Sequence, residues 1–332
     1  MGSHRDLDWQ AAMSIIEEAD TRATPPELAV DAAAVAASIT AFIAERTLAH
    51  RRDGAVLGLS GGLDSAVVAT LAARALGPRK VLALIMPDRD SAPESARDAR
   101  ELASQLGIRV EVVDLTHALD ALGVYRRLPL HLLGPRALQS AAVRAFFSLA
   151  SHWPGRRPFR LFVAGPGRSA GIVGQLVAAG KAYVSVKHRL RMACWYHRAE
   201  AENLLVLGAC NRTEMQIGLF VRYGDSAADV APIEGLYKTQ VFQLGRFLEV
   251  PRAILEKPPS PDLLPGITDE YVLGMGYEVL DRILCRLERG MPPGAIAREL
   301  GLSRDRVDYV AELREAARAL REQPEVGPLP GP

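Results

Sequence analysis

The stretch Ala55-Val56-Leu57-Gly58-Leu59-Ser60-Gly61-Gly62-Leu63-Asp64-Ser65 decides the fold. Ala55 to Leu59 is a short apolar strand, and a helix follows from Asp64 to Leu76, where Gly77-Pro78 ends it. A strand that feeds a Gly-rich turn and then a helix N-terminus is an anion cradle. Its glycines let backbone N–H groups approach phosphate oxygens, and the helix dipole adds positive potential. Ser60 and Ser65 add hydroxyls. No Lys precedes Ser65, which sets the loop apart from the usual phosphate loop of ATPases. Asp64 beside an anion makes sense when a cation lies between them, and Mg²⁺ bound to phosphates meets that need. The plainer alternative is a Gly-Gly turn with Asp64 capping a helix.

Outward from this loop, strands and helices alternate. The spacing predicts a helix over 26–49, opened by Pro25 and Pro26, and strands at Val81 to Met86 and Ile108 to Val113. A helix at Ala92 to Leu106 lies between those strands. After residue 182 come a helix at 188–202, an apolar strand at Leu204 to Leu207, and helices near 237–248 and 271–289. This alternation predicts an α/β fold, a doubly wound parallel sheet with flanking helices. Residues 121–182, rich in Gly, Pro and Arg, interrupt it as an irregular basic insertion with one helix near 136–150. The expected layout is an N-terminal extension over 1–24, one domain over 25–320, and a flexible tail over 321–332.

Composition narrows the class. The 332 residues are 48% hydrophobic and 24% charged with a formal net charge of +1, which excludes a disordered or collagenous chain. No uncharged apolar run of about 18 residues is present, so no membrane span is expected. Cys194, Cys210 and Cys285 form neither a metal pattern nor a disulfide framework, which points to a reducing cytoplasm. The small net charge hides an asymmetry. From Ala121 to Ala199 there is no Asp or Glu, yet the stretch holds 13 Lys and Arg residues. Such a block attracts anions, or else pairs with acids from elsewhere in the chain.

Ser60–Ser65 resembles the pyrophosphate loop of the N-type ATP pyrophosphatases, whose fold is adenine nucleotide alpha-hydrolase-like. Four further blocks narrow the resemblance: Gly208-Ala209-Cys210-Asn211-Arg212-Thr213-Glu214, Tyr223-Gly224-Asp225-Ser226-Ala227-Ala228-Asp229, Leu236-Tyr237-Lys238-Thr239-Gln240 and Lys257-Pro258-Pro259-Ser260-Pro261-Asp262-Leu263. Together with Lys187-His188-Arg189-Leu190-Arg191-Met192, they are closely similar to the ammonia-dependent NAD synthetases over roughly residues 35–115 and 185–315.

That resemblance implies ATP-dependent amide formation through an acyl-adenylate, with deamido-NAD and ammonia as substrates and Mg²⁺ as the metal. It implies that Ser60, Gly61, Gly62, Leu63, Asp64, Ser65, Ala209 and Ser260 bind ATP or its pyrophosphate. Asp64 and Glu214 would hold the metal. Asp225 and Lys238 would be catalytic, the first as a proton acceptor for ammonium and the second as a stabiliser of anionic oxygens. Ser185, Arg189, Asp229 and Asp262 would bind the acyl substrate. Ser260 and Asp262 would lie on a mobile Pro-rich loop over the site. A homodimer is implied as well. The 59 residues before Ser60 are too few for a glutamine-hydrolysing domain, so free ammonia, or ammonia from a separate protein, is expected.

Two positions depart from the family pattern. Ala209 stands where a Thr hydroxyl usually meets ATP, and Ser185 stands where an Asn usually helps hold the acyl substrate. They leave open an amide-forming ligase of the same superfamily acting on another carboxylate, such as a natural product. Residues 292–307 also read like a helix-turn-helix, but Arg304 and Arg306 against Asp305, Asp308 and Glu312 make a mixed surface that suits nucleic acid poorly.

Overall fold

A computed structural model describes residues 25–127, 130–151, 158–165, 171–260 and 267–322. The extension over 1–24, Asp262 and most of the expected tail lie outside the described residues. After a short 3₁₀ turn at Pro26–Leu28, helix α1 spans Ala32–Ala49. Its start is set by Asp31, whose carboxylate accepts from the N–H groups of Ala33 and Ala34, both at 3.0 Å. Then follow β1 (Gly54–Gly58), α2 (Leu63–Leu76), β2 (Val81–Ile85), α3 (Pro93–Leu106) and β3 (Arg109–Val112). The four described strands are parallel in the order β3-β2-β1-β4, with β4 at Leu204–Val206. Ala55 pairs with Val81, Gly54 with Leu204 and Leu82 with Arg109.

Period-two alternation assigns each strand residue to a face. Ala55, Leu57, Val81, Ala83 and Ile85 pack on one side with α1, α2 and α3. Val56, Leu82, Leu84 and Val206 pack on the other, against α4 (Thr116–Ala121), α5 (Val124–Arg127) and the long helix α8 (Gly171–Glu202). Burial on both faces is why these strands read as continuous apolar runs. Edge strand β3 differs, since Val110 and Val112 are 41% and 44% exposed. Its charged residues hold it instead: Glu111 pairs with Arg198, and Arg109 lies 2.5 Å from Glu202.

The insertion is more ordered than the sequence predicts. It contains α6 (Arg136–Ser151), α7 (Pro158–Ala164) and the first half of α8 (Gly171–Glu202). The sequence places the last helix only from 188. Gly171, Gly174 and Gly180 lower helix propensity upstream, so packing rather than local preference sustains that half. Tyr183 and Lys187 there are fully buried. Several of the basic residues find acids elsewhere: Arg160 meets Glu312, Lys187 meets Asp88 and Asp90, and Arg191 meets Asp88.

The remaining helices are α9 (Arg212–Ile217), α10 (Lys238–Phe247), α11 (Arg252–Leu255), α12 (Asp269–Leu273), α13 (Tyr277–Glu288), α14 (Pro293–Leu300) and α15 (Arg304–Arg321). The single helix expected over 271–289 breaks at Gly274, whose φ is +70°. The α14–α15 pair is no exposed reading head, because Val307, Val310 and Leu313 of α15 are fully buried in a second core.

By length and composition Pro26–Ala49 suffices to cross a membrane, with a mean hydropathy of 1.7. In the fold Ala36 and Ile43 of α1 pack into the α/β core.

Candidate active site

Strand β1 continues β2 and β3 to one side and β4 to the other, so the loops leaving β1 and β4 diverge and open a crevice at their C-terminal ends. The Ser60–Ser65 loop leaves β1 there. The Ser60 hydroxyl accepts from Gly62 N–H at 3.2 Å and lies 3.1 Å from the Ser65 hydroxyl, which donates to Gly62 O at 3.0 Å. Gly61 has φ +77°, and a Cβ there would fall 2.2 Å from Ser95 O. Gly62 caps α2 with no side-chain hydrogen bond, so no side chain of its own covers the helix N-terminus. Lys257 braces the turn from outside, donating to Gly61 O at 3.2 Å and lying 2.5 Å from Asp98.

A cavity of about 940 Å³ opens over this loop. Ser60, Gly62, Leu63, Asp64, Ser65, Ala209, Glu214, Asp225, Lys238 and Ser260 all line it. Residues from β1, α2, α9, α10 and two loops, spread over two hundred positions of sequence, thus share one space. Its opposite wall comes from the insertion, through Ala142, Val143, Phe159, Phe162, Leu176 and Val177. Ser185 is buried in α8, Arg189 is exposed, and neither is among the lining residues. Asp229 is also off the cavity: its carboxylate accepts from Val206 N–H at 2.9 Å and from Tyr196 OH at 3.3 Å. Ser260 donates to Ile267 O at 2.7 Å.

The centre is charged. The Lys238 ammonium donates to Asp64 and lies 3.7 Å from Glu214. Burial alone would lower the Lys238 pKa, but the charges of Asp64, Glu214 and Asp269 outweigh it and hold the ammonium protonated. Burial pushes Glu214 well above the usual carboxylate range, and the Asp64 charge adds to that, against the pull of Lys238. Asp269 is likewise raised by burial, and Tyr277 OH donates to it at 2.7 Å.

Several residues that the sequence left unassigned position this centre. Asn211 donates to Asp64 at 3.0 Å. It also closes a capping box with Glu214: Glu214 N–H donates to the Asn211 side chain at 3.0 Å, and Asn211 N–H to the Glu214 carboxylate at 3.2 Å. The signal was present as Asn211-x-x-Glu214. Thr213 joins α10 to α13, accepting from Lys238 N–H at 2.9 Å and donating to Asp281 at 2.5 Å. Burial raises Asp281 to about 6, against its hydrogen bonds from Thr213 and Thr239. The three cysteines are free, Cys210 and Cys285 buried and Cys194 partly so.

Among the described residues no group of three or more His, Cys, Asp or Glu could hold a metal alone. Asp64 and Glu214 nevertheless supply two hard oxygen donors beside the phosphate cradle. That donor set fits Mg²⁺, which usually takes one or two carboxylates and completes its shell with phosphate oxygens and water.

The chain matches the NAD synthase family over residues 35–127 and 176–324, a match that skips most of the insertion. It is 44% identical to an NH₃-dependent NAD⁺ synthetase of Coprothermobacter proteolyticus over 252 residues, covering 76% of this chain and 84% of that protein. The corresponding protein of Mesorhizobium japonicum is 35% identical over 90% of this chain and 97% of its own length. Among solved structures, the NMN synthetase of Francisella tularensis superposes with a TM-score of 0.64 at 25% identity, covering 91% of this chain and all of that one. The NH₃-dependent NAD synthetase of Campylobacter jejuni shares the fold, with a TM-score of 0.62 at 23% identity over 90% of this chain and all of that one. The pyrophosphate-type loop after β1, the charged centre on α9 and α10, and these matches across both segments agree: this chain belongs to the NAD synthase family.

Proposed function

We propose that the chain joins ammonia to the nicotinate carboxylate of deamido-NAD while ATP is cleaved to AMP and pyrophosphate. One observation carries this: the Ser60–Ser65 loop, Asp64, Glu214, Lys238 and Asp225 line a single cavity. The names of the most similar relatives support it.

A carboxylate is a poor acyl donor because its leaving group would be oxide. Attack of its oxygen on the α-phosphate of ATP expels pyrophosphate and makes an acyl-adenylate, from which AMP leaves readily. The N–H groups and hydroxyls of Ser60–Ser65 face the charge that grows on the departing pyrophosphate, and the Lys238 ammonium adds positive charge. Asp64 and Glu214 are the residues that would hold Mg²⁺, which when bound supplies positive charge to the phosphate oxygens. Asp225 takes a proton from ammonium so that the nitrogen lone pair can attack the acyl carbon. The apolar wall from the insertion keeps water from the adenylate.

Ser185 and Asp229 lie off the cavity, and Ala209 offers it only a methyl group. These observations favour a second reading, a different carboxylate such as nicotinate mononucleotide or a natural product. Incubation with ATP, Mg²⁺, ammonium and either pyridine nucleotide separates the two. The expected result is NAD, AMP and pyrophosphate in equal amounts from deamido-NAD, and formation of ADP and orthophosphate instead would overturn both. The same reading carries a homodimer in the cytoplasm, fed by free ammonia or by a separate protein. Light scattering is expected to give twice the chain mass.

A further inference from the structure

Asp225 is held in a specific attitude. One carboxylate oxygen accepts from Val221 N–H at 2.7 Å, and the other faces Nδ1 of His188 at 3.7 Å. The loop that carries it is tightly wound: Gly224 N–H donates to Val221 O at 2.8 Å, the Ser226 hydroxyl donates to Val221 O at 3.1 Å, and Tyr223 sits at φ +59°. A non-glycine residue in that region stores strain, which persists when the surroundings over-determine it. Gly224 presses on His188 so closely that a Cβ there would fall 2.9 Å from the His188 Cβ. Helix α8 and the loop therefore fix imidazole and carboxylate together, and both line the cavity.

We propose that His188 is the positioning residue of Asp225, facing its free oxygen and relieving it of the proton that it takes from ammonium. This rests on the amide-forming function above. Making an amide from ammonium releases two protons from one nitrogen. An N–H bond of ammonium breaks first, its proton going to Asp225 and the lone pair staying on nitrogen. That pair forms the C–N bond. A second proton leaves nitrogen as the acyl C–O bond breaks and its electrons depart with AMP. A lone carboxylate holds one proton at a time. Passing the first to Nδ1 restores the carboxylate for the second, and the imidazolium then returns its proton to water. The 3.7 Å separation suits a pair that tightens when substrate fills the site.

The surroundings leave the imidazole free to accept. Burial lowers its pKa, Asp225 and Asp88 favour the charged form, and Arg191 and Lys187 of its own helix oppose it, with a net lowering. His188 is thus neutral at neutral pH.

The test uses His188→Ala and His188→Gln in the full chain. Three rates are compared: ATP–pyrophosphate exchange, amide formation from ammonium between about pH 6 and about pH 9, and turnover with hydroxylamine, which is already unprotonated at neutral pH and sheds one proton fewer. Exchange is expected to stay unchanged, showing an intact site. Ammonium-dependent kcat should fall by about 100-fold at neutral pH in both variants, less at the alkaline end, with KM for ATP unchanged. Hydroxylamine turnover should fall far less. Equal losses with both nucleophiles at every pH, or no loss in His188→Gln, would overturn the role of His188. A wild-type protein that exchanges pyrophosphate but forms no amide from ammonium would instead overturn the parent function.

Discussion

Lys238 shows how little a residue's type says about its work. In sequence it is one lysine in Tyr237-Lys238-Thr239, indistinguishable from an exposed helix cation. In the fold it is 3% exposed and draws together carboxylates from α2 and α9. Asp64 is its nearest partner and also receives Asn211. Asp64→Ala is therefore expected to lower pyrophosphate release by at least about 100-fold, because the group that pairs with Lys238 beside the cradle is gone. Glu214 still faces the ammonium, so circular dichroism should show the helices retained. Retained pyrophosphate release would show that charge at this position does not matter to ATP cleavage. Asn211 was missed for a related reason. Its cap on α9 is legible from spacing, but its bond to Asp64 joins positions far apart in the chain.

Helix α8 ties the sheet to the insertion through a buried charge cluster. Lys187, fully buried, lies 2.9 Å from Asp88 and 2.6 Å from Asp90, while Tyr183 also donates to Asp90 and Arg191 lies 3.0 Å from Asp88. Burial alone would raise the Asp90 carboxyl, but Lys187 outweighs it and holds the pKa below the ordinary 3.8. A carboxyl depressed in the folded state contributes stability that is present above its unfolded pKa and lost as pH falls through the folded value. The wild type should therefore keep this contribution down to about pH 4 and lose it below. Lys187→Met leaves both carboxylates buried beside a thioether. It should lower stability to urea by about 3–5 kcal/mol at neutral pH. Part of that loss should return on acidification to about pH 5, as the stranded carboxyls protonate. A flat pH dependence in the variant would show that Arg191 beside Asp88 and Arg89, 3.5 Å from Asp90, suffice without Lys187.

At the scale of the whole molecule, two cores meet at the site. The α/β core presents the Ser60–Ser65 loop and Asp64. The helical core around α13, α14 and α15 supports α9 and hence Glu214, since Ile217 of α9 packs among Val310, Leu313 and Ala317. Leu313 is fully buried, 99 positions from Glu214 in sequence. Leu313→Ala should cost about 2–5 kcal/mol in urea unfolding and weaken ATP-dependent turnover near the melting range, although it touches no substrate. A variant destabilised by that amount with unchanged activity up to unfolding would show that the helical core does not hold α9 in place. The opening glycine-rich turn, the strand spacing and the capping box were all local and therefore readable. In the insertion the helix near 136–150 was readable too, and Arg136–Ser151 matches it. The rest was not, because its glycines and short segments carry weak propensity and pack on distant residues, Phe159 and Val163 in the helical core and Tyr183 behind the sheet.

The sequence by itself determined the parallel α/β order, the anion-binding turn after β1 and the family, because strand periodicity, glycine placement and motif order are written in neighbouring residues. Only the tertiary structure decided which charged residues share a cavity. It drew Lys238 to Asp64 and Glu214, set His188 against Asp225, and turned Asp229 toward the end of β4. Such contacts join residues distant in the chain, and a buried charge takes the partner that best offsets its lost hydration, which no local pattern specifies.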